Sequence, residues 1–138
     1  MYDPMMVAPM REELTHAGVQ SLGTANEVES VLNEAGKTSL VVVNSVCGCA
    51  AANARPGVRL SMQHGTQPDN VVTVFAGVDR EATDCARRFF KGYMPSSPSI
   101  ALLKDGEVAF ILQRHDIEGR SPEDIATKIS AAYDEHCG

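Results

Sequence analysis

Positive charge is scarce in this sequence of 138 residues, where 12 lysines and arginines stand against 18 aspartates and glutamates. The formal net charge at pH 7 is therefore -6. Proteins that bind nucleic acid concentrate basic side chains on one face, where they neutralise phosphates. We therefore expect no nucleic-acid partner.

Long hydrophobic runs are also missing. The most apolar stretch, SLVVVNSV, is far shorter than the ~20 residues that a helix needs to cross a bilayer. The N-terminal stretch MYDPMMVAPMREEL has no basic segment followed by an apolar one, as a secretory signal would. We expect a cytoplasmic protein with no membrane partner, and in that compartment closely spaced cysteines more often bind metal or carry out redox chemistry than form lasting disulfides.

No internal repeat, low-complexity tract or linker divides the chain. Its length is that of one ordinary domain, and a hydrophobic content of 43% is enough to build a core. We expect a single domain over residues 1–138. Residues 1–20 should form an N-terminal helical extension, with the helix itself over residues 9–18.

Two apolar runs rich in β-branched residues, 39–45 and 71–77, are typical of strands that are covered on both faces. A helical pattern over residues 47–63 lies between them, and Pro56 should interrupt that helix because proline lacks a backbone donor. A strand, a helix and a strand in this order predict a parallel, right-handed βαβ unit.

The second half of the chain predicts an antiparallel hairpin followed by a helix. Asp105-Gly106 is a strong two-residue turn signal between apolar runs at 100–104 and 108–113. Capping patterns predict that helices begin at Thr24, Asp79 and Ser121. After the extension, the order α-β-α-β-α-β-β-α predicts an α/β thioredoxin-like fold, in which helices flank a four-stranded mixed sheet.

Two cysteines separated by one glycine, in the stretch VVVNSVCGCAAANARPG, fall where the first strand gives way to the second helix. A thiol at a helix N-terminus faces unpaired N–H groups and the positive end of the helix dipole, which favour the thiolate. Cys47 is therefore the candidate nucleophile. Cys49 would point roughly 200° away around a regular helix, so a Cys47–Cys49 disulfide requires a local change of backbone, for which Gly48 is the natural hinge. Such a bridge is typical of a redox-active disulfide.

A metal or iron–sulfur site is the alternative for this CGC motif. Cys85 and Cys137 are isolated in the sequence and no histidine completes a familiar ligand spacing, so a second copy of the chain would have to supply the other two ligands. We expect no metal in the protein.

Two further segments should lie near the cysteines in a thioredoxin-like fold. The Ser97-Pro98 bond precedes the third strand, where a cis peptide costs little at proline; a trans loop proline is the alternative. Arg114, His115 and Arg120 follow the last strand and could stabilise a thiolate or bind a carboxylate. A solvated loop that caps the last helix is the alternative for that segment.

Three stretches together resemble the bacilliredoxins, which are thioredoxin-like proteins with a CGC motif. They are NSVCGCAAANARPGV (44–58), MPSSPSIALLKDGEV (94–108) and RHDIEGRSPEDIA (114–126). The resemblance runs over nearly the whole chain from the first capped helix onward. It implies a thiol–disulfide oxidoreductase that removes bacillithiol from mixed disulfides on proteins, with no tightly bound cofactor.

Under this resemblance, Cys47 would take the bacillithiol onto itself, and Cys49 or a free thiol would resolve the intermediate. Bacillithiol, a low-molecular-weight thiol, would be the co-substrate, and proteins that carry bacillithiol or disulfides would be the partners. Because bacillithiol carries a malate, Arg114, His115 or Arg120, together with Ser97, would bind it. Disulfide reductase and isomerase activity is also attributed to the family, and a homodimer is an open assembly state.

Overall fold

The computed structural model describes residues 2–138, which form six α-helices, one π-helical turn and a five-stranded sheet. The helices are α1 Pro4–Thr15, α2 Ala25–Leu32, α3 Arg55–Ser61, α4 Arg80–Arg88, α5 Arg114–Ile117 and α6 Pro122–His136. The strands are β1 Gln20–Ser21, β2 Thr38–Asn44, β3 Asn70–Phe75, β4 Ser99–Lys104 and β5 Glu107–Leu112. The π-helical turn spans Ala50–Ala54 and leads directly into α3.

The sheet has the strand order β1-β3-β2-β4-β5. Strand β3 is parallel to β1 and β2, whereas β4 is antiparallel to β2 and β5. The parallel pair followed by a hairpin confirms the α/β thioredoxin-like class. The predicted strand number was wrong, because the edge strand β1 has only two residues and carries no periodic pattern.

Strand β2 lies at the centre of the sheet and is buried along its whole length. Its Leu40 and Val42 pack into one core with α3 and α6, while Val41 and Val43 pack into a second core with α2 and α4. Successive side chains of a strand point to opposite faces. The continuous apolar run therefore reflects helices on both faces, as predicted.

The N-terminal helix begins earlier than predicted. Asp3 caps it by accepting a hydrogen bond from the N–H of Met5 at 2.8 Å, and Pro4 takes the first position of the helix. Pro9 lies inside the helix instead of at its start. The carbonyl left without its usual donor belongs to Met5, which is 84% exposed, so water can satisfy it and the helix tolerates the proline.

The helix after β2 is interrupted near Pro56, as expected. The N–H of Arg55 donates to the carbonyl of Ala50, five residues back, which defines the π-helical turn. Proline then occupies the first turn of α3, where a backbone donor is not needed.

The three predicted helix starts lie within a residue of the observed ones. Thr24 and Glu27 exchange side-chain and backbone hydrogen bonds in a capping box, and Ser121 accepts from the N–H of Asp124. Asp79 precedes α4, but its carboxylate makes no capping bond because it pairs with Arg11 of α1 at 2.7 Å. No helix within residues 2–138 combines the length and the apolarity that membrane crossing requires.

Candidate active site

Cys47 lies between the end of β2 and the helical segment that follows. Its carbonyl accepts hydrogen bonds from the N–H groups of Ala50 at 3.0 Å and Ala51 at 3.3 Å. Its own N–H donates to Oγ of Ser45 at 3.3 Å. Cys47 thus occupies the capping position of the helix, which places its sulfur beside the first free N–H groups.

The Sγ atoms of Cys47 and Cys49 lie 2.6 Å apart, and both thiols are half-buried. Cys49 has helical dihedrals (φ -70°, ψ -21°), whereas Cys47 precedes the helical residues. The angular spacing of a regular helix therefore does not separate the two side chains. Gly48 is exposed, its φ lies outside the left-handed region, and an added Cβ would meet no atom within 4 Å.

The two thiols differ in their ionisation. Burial opposes the thiolate of Cys47, but hydrogen bonds from the Cys49 thiol and from the N–H groups of Cys49 and Ala50, together with the charge of Arg114, outweigh it and lower the pKa of Cys47. Burial, followed by the hydrogen bond to Cys47 and the charge on it, raises the pKa of Cys49. The arrangement favours a thiolate on Cys47 with a neutral Cys49 as donor.

The peptide bond between Ser97 and Pro98 is cis. Strand β4 starts directly after it, and Ser99 pairs with Val43 of β2. Because β2 then runs on to the cysteines, this register brings the segment before β4 beside the CGC motif. Pro98 is buried and Ser97 is half-buried.

A shallow cleft of about 630 Å³ opens beside Cys47. The ends of β2 and β3, the segment before β4, α4 and the start of α5 all contribute to it, so it lies at the carboxyl edge of the parallel strands. The lining residues are Tyr2, Ser45, Val46, Cys47, Gly48, Ala76, Gly77, Arg87, Ser97 and Arg114.

Arg114 is the predicted cation that reaches this cleft. Its Nη1 donates to the carbonyl of Ser97 at 3.5 Å, its N–H donates to Oγ of Ser96 at 3.3 Å, and its Nε pairs with Glu118. The segment expected to be a loop begins instead with the short helix α5, because the carboxylate of Asp116 accepts from the N–H of Gln113 at 2.9 Å and caps this turn.

His115 and Arg120 do not line the cleft in the part of the chain that the structure describes. The side chain of His115 is 76% exposed and lies 3.5 Å from Asp116. Arg120 is exposed, and its carbonyl accepts a hydrogen bond from the side chain of Asn53. The turn of α5 separates these side chains from Arg114, so the three cations do not form one cluster.

Sequence reasoning missed two residues of the cleft, Arg87 and Tyr2. Arg87 lies in the last turn of α4, where a basic residue is expected for the helix dipole alone. Tyr2 precedes α1, and its ring packs against Gly77, where an added Cβ would lie 2.9 Å from it. Both residues are distant from the CGC motif in sequence, so no local pattern indicates their place.

Sequence reasoning also missed Arg55, a buried residue that supports the backbone leading to the site. Its side chain is 2% exposed, and its Nη1 donates to Oδ1 of Asn44 at 3.0 Å and to the carbonyl of Ser45 at 2.9 Å. Its Nε lies 3.2 Å from Oε1 of Glu13, in an ion pair without hydrogen-bond alignment. A buried arginine thus fixes the segment that leads from β2 to Cys47.

Metal ligands are not assembled at this site. Across residues 2–138, no group of three or more histidine, cysteine or acidic side chains is arranged to hold a metal ion. Cys85 is buried among the residues between α2 and α4, and Cys137 lies at the end of α6. Neither approaches the CGC pair through a contact in the structure.

Two paired thiols of unequal pKa at a helix start, on a thioredoxin-like sheet, define a thiol–disulfide oxidoreductase. A family model described as "Disulphide isomerase" matches residues 2–137. The chain belongs to this family, and its curated relatives are bacilliredoxins.

Three of these bacilliredoxins illustrate the similarity. The protein of Koribacter versatilis is 49% identical over 138 residues, covering 100% of this chain and 95% of the relative. That of Shouchella clausii is 53% identical over 136 residues, covering 99% and 94%. That of Cytophaga hutchinsonii is 51% identical over 135 residues, covering 98% and 99%. The similarity thus extends over nearly the full length of both chains.

Solved thioredoxins share the fold. The thioredoxin of Malassezia sympodialis has a TM-score of 0.59 at 16% identity, covering 88% of this chain and 92% of that one. Oxidised thioredoxin O2 of Arabidopsis thaliana has a TM-score of 0.55 at 16% identity, covering 86% and 96%. At this identity the likeness concerns the fold alone.

Proposed function

We propose that this protein is a bacilliredoxin that removes bacillithiol from mixed disulfides on oxidised proteins. The observation that carries the proposal is the 2.6 Å approach of Cys47 and Cys49, with the pKa of Cys47 lowered and that of Cys49 raised. The relatives named bacilliredoxin support bacillithiol as the thiol. The cytoplasm, where small thiols keep proteins reduced, is the expected location.

The first step is attack of the Cys47 thiolate on the bacillithiol sulfur of the mixed disulfide. A bond forms between Cys47 and that sulfur, and the original disulfide bond breaks. The substrate protein leaves as a thiolate and takes up a proton. The lowered pKa of Cys47 favours the thiolate that this attack requires.

The second step resolves the Cys47–bacillithiol disulfide. Cys49 loses its proton, attacks Sγ of Cys47 and releases bacillithiol, so that the two electrons that reduced the substrate come from the cysteine pair. A free bacillithiol can also attack, which gives bacillithiol disulfide and regenerates Cys47 directly. The contact between the two sulfur atoms supports Cys49 as the resolving thiol. An external thiol or reductase must then reduce the Cys47–Cys49 disulfide.

The other predicted site residues receive roles by their positions. Gly48 would act as the hinge when the sulfur atoms approach bonding distance. Ser97 lines the cleft beside Cys47, where the backbone of a substrate can lie, and the buried Pro98 would hold that segment in place. Arg114 is the candidate partner of the bacillithiol carboxylates, whereas the exposed positions of His115 and Arg120 give them at most a part in binding the protein substrate.

The test is transfer of bacillithiol from a labelled protein to this one. A reduced sample meets a protein that carries one bacillithiol mixed disulfide, and intact mass with peptide mapping follows the thiol. We expect bacillithiol on Cys47, short-lived in the wild type and persistent in the Cys49→Ala variant. Cys85→Ala is the matched control, because it removes a buried cysteine outside the cleft and should behave as the wild type.

The outcomes separate the candidate functions. Transfer of bacillithiol to Cys49, or equal transfer in a Cys47→Ser variant, would overturn the assignment of the nucleophile. Exchange with other disulfides but none with bacillithiol would support the oxidoreductase activity and refute bacillithiol as its thiol substrate. One equivalent of zinc, or one iron–sulfur cluster, per dimer in anaerobically purified protein would instead support the metal-binding alternative.

Disulfide isomerisation is the second candidate function, and the description of the family model favours it. The same chemistry would act on nonnative protein disulfides, with Cys47 attacking and the substrate's own thiols resolving the intermediate. Reactivation of a scrambled disulfide protein tests it. An isomerase should retain this activity in the Cys49→Ala variant, whereas a reductase that depends on Cys49 should lose it.

A further inference from the structure

Arg87 is a cation without an acidic partner at the edge of the active-site cleft. Its Nη2 donates to the carbonyl of Ser96 at 3.3 Å, and its buried Nε has no hydrogen-bond partner among the residues that the structure describes. Within residues 2–138, no carboxylate lies close enough to Arg87 for an ion pair. A partly buried guanidinium loses part of its hydration, and without a counterion no charge in the protein compensates for that loss.

Arg87 and Arg114 converge on the same short segment of backbone. Arg87 donates to the carbonyl of Ser96, and Arg114 donates to the carbonyl of Ser97, the next residue. Consecutive Cα atoms lie about 3.8 Å apart, so the two guanidinium groups bind neighbouring residues of the same backbone segment. Both line the cleft that contains Cys47.

The cleft is cationic although the molecule is acidic. Its lining includes two arginines and, among the described residues, no aspartate or glutamate. Glu118 pairs with Arg114, but both side chains are about half exposed, at 52% and 49%, and water weakens such a pair. Because Glu118 pairs with Arg114, Arg87 is the arginine of the cleft whose charge has no carboxylate partner among residues 2–138.

We infer that Arg87 and Arg114 together form a carboxylate-binding subsite for the small-thiol half of the mixed disulfide, with Arg87 as a specificity-determining residue. The inference rests on the proposed function and names the substrate class as a thiol that bears carboxylates. Guanidinium groups bind carboxylates in paired hydrogen bonds. In this subsite Arg87 supplies the second positive charge beside Arg114. His115 and Arg120 do not line the cleft and have no part in it.

The test compares disulfides that differ in charge. Pre-reduced protein reduces one small disulfide to two thiols while it forms the Cys47–Cys49 disulfide, so no other reductant is needed. The probes are bacillithiol disulfide, mercaptosuccinate disulfide, which carries similar carboxylates, and the neutral hydroxyethyl disulfide. The variants are Arg87→Gln, Arg87→Lys and, as a matched control, Arg88→Gln, which removes a neighbouring exposed charge of α4 that does not line the cleft.

For Arg87→Gln we expect a second-order rate constant reduced about tenfold with both carboxylate-bearing disulfides, the loss of one charge-assisted contact. The rate with hydroxyethyl disulfide should stay within about twofold, Arg87→Lys should recover part of the loss, and Arg88→Gln should match the wild type. An equal loss with all three probes would assign Arg87 to holding the segment before Pro98 and overturn the inference, as would no loss at all.

The inference and the proposed function can fail separately. If the wild type reacts with mercaptosuccinate disulfide but not with bacillithiol disulfide, bacillithiol is the wrong thiol and the arginine subsite is still judged by the Arg87→Gln rates. If bacillithiol disulfide reacts equally well with the wild type and Arg87→Gln, the proposed function stands and the subsite is refuted.

Discussion

The reactivity of single residues at this site depends on where a proton sits between two thiols. Cys47 and Cys49 are two positions apart, yet Cys47 receives hydrogen bonds from the Cys49 thiol and two backbone N–H groups, while Cys49 faces the charge of Cys47. The capping position supplies donors to Cys47 alone. Two cysteines of the same chemistry thus become a nucleophile and a resolving thiol because of their different positions.

Removal of the Cys49 thiol should make Cys47 less reactive at neutral pH. A lowered pKa means a larger thiolate fraction at a given pH, and Cys49→Ala deletes one of the donors that lower it. We expect the pH profile of iodoacetamide alkylation of Cys47 to shift to higher pH in Cys49→Ala. Alkylation near pH 7 should then slow several-fold.

Cys49→Ser is the matched control, since its hydroxyl can still donate. Its alkylation profile should lie between those of the wild type and Cys49→Ala, with both measured in the presence of a reductant. Identical profiles for all three proteins would mean that the N–H groups and Arg114 alone set the pKa of Cys47.

Arg55 should be important for stability, although it never touches substrate. Its replacement by Met leaves the buried carbonyl of Ser45 without its side-chain donor and leaves Oδ1 of Asn44 with only the N–H of Ser45. We expect a loss of about 3 kcal/mol in the free energy of unfolding, measured by urea denaturation. Arg59→Met, an exposed change in the same helix, should cost less than about 0.5 kcal/mol. Equal midpoints for the two variants would contradict this role.

The CGC pair could be predicted from the sequence because its residues are adjacent and their chemistry is local. Arg114 could be predicted because it directly follows β5, which ends at the cysteine edge of the sheet. Arg87 could not, since its place in the cleft depends on how α4 packs and which way one side chain of its last turn points. The positions of His115 and Arg120 could not be predicted for the same reason, because the turn of α5 places both side chains away from the cleft.

At the scale of elements, α3 and α6 pack against each other so closely that a glycine is needed between them. A Cβ added at Gly57 would lie 2.6 Å from Cγ2 and 2.8 Å from Cβ of Ile125. Both atoms belong to a branched side chain that is wholly buried in α6, so neither can move without disturbing the core.

Gly57→Ala should therefore destabilise the protein although alanine favours helices. The gain in helix propensity is about 1 kcal/mol, while overpacking of a core typically costs about 1–3 kcal/mol. We expect a net loss of about 1 kcal/mol by thermal or urea unfolding. Ile125→Ala should be less harmful in the Gly57→Ala background than in the wild type, because it removes Cγ2, the atom nearest to the added Cβ.

Gly48→Ala is the control for this prediction, because it also places an alanine in the helical segment but meets no atom within 4 Å. Without a clash to offset the gain in helix propensity, this variant should be at least as stable as the wild type. A Gly57→Ala protein at least as stable as Gly48→Ala would show that the helices can separate at no cost.

At the scale of the whole molecule, most of the topology followed from local patterns, because the long strands are apolar runs and three of the helices begin at capping signals in the sequence. Strand β2 has apolar residues on both faces, and only a central strand with helices on both sides satisfies that pattern. Strand β1 escaped prediction because pairing with β3, not its own two residues, makes it a strand. The start of α1 was missed because an exposed proline is tolerated inside it.

The net charge of the molecule and the positive charge of the cleft have opposite effects on an anionic disulfide. The dependence of the rate on salt distinguishes the two effects. The net charge of -6 repels an anionic disulfide, whereas Arg87 and Arg114 attract it within the cleft. Salt screens both effects, with a Debye length of about 10 Å at 0.1 M. In the Arg87→Gln, Arg114→Gln double variant only the repulsion remains, so its rate constant with mercaptosuccinate disulfide should rise as salt is added.

The ratio of the wild-type to the double-variant rate constant should fall over the same range of salt, because screening weakens the attraction that the variant lacks. Stopped-flow measurements between about 0.02 and 0.5 M salt test both trends, since the Debye length falls over this range from roughly twice to roughly half its value at 0.1 M. Hydroxyethyl disulfide is the control, and its rate should not depend on salt in either protein. A constant ratio for the anionic probe would mean that the two arginines act on the cysteines or the fold and not on the charge of the substrate.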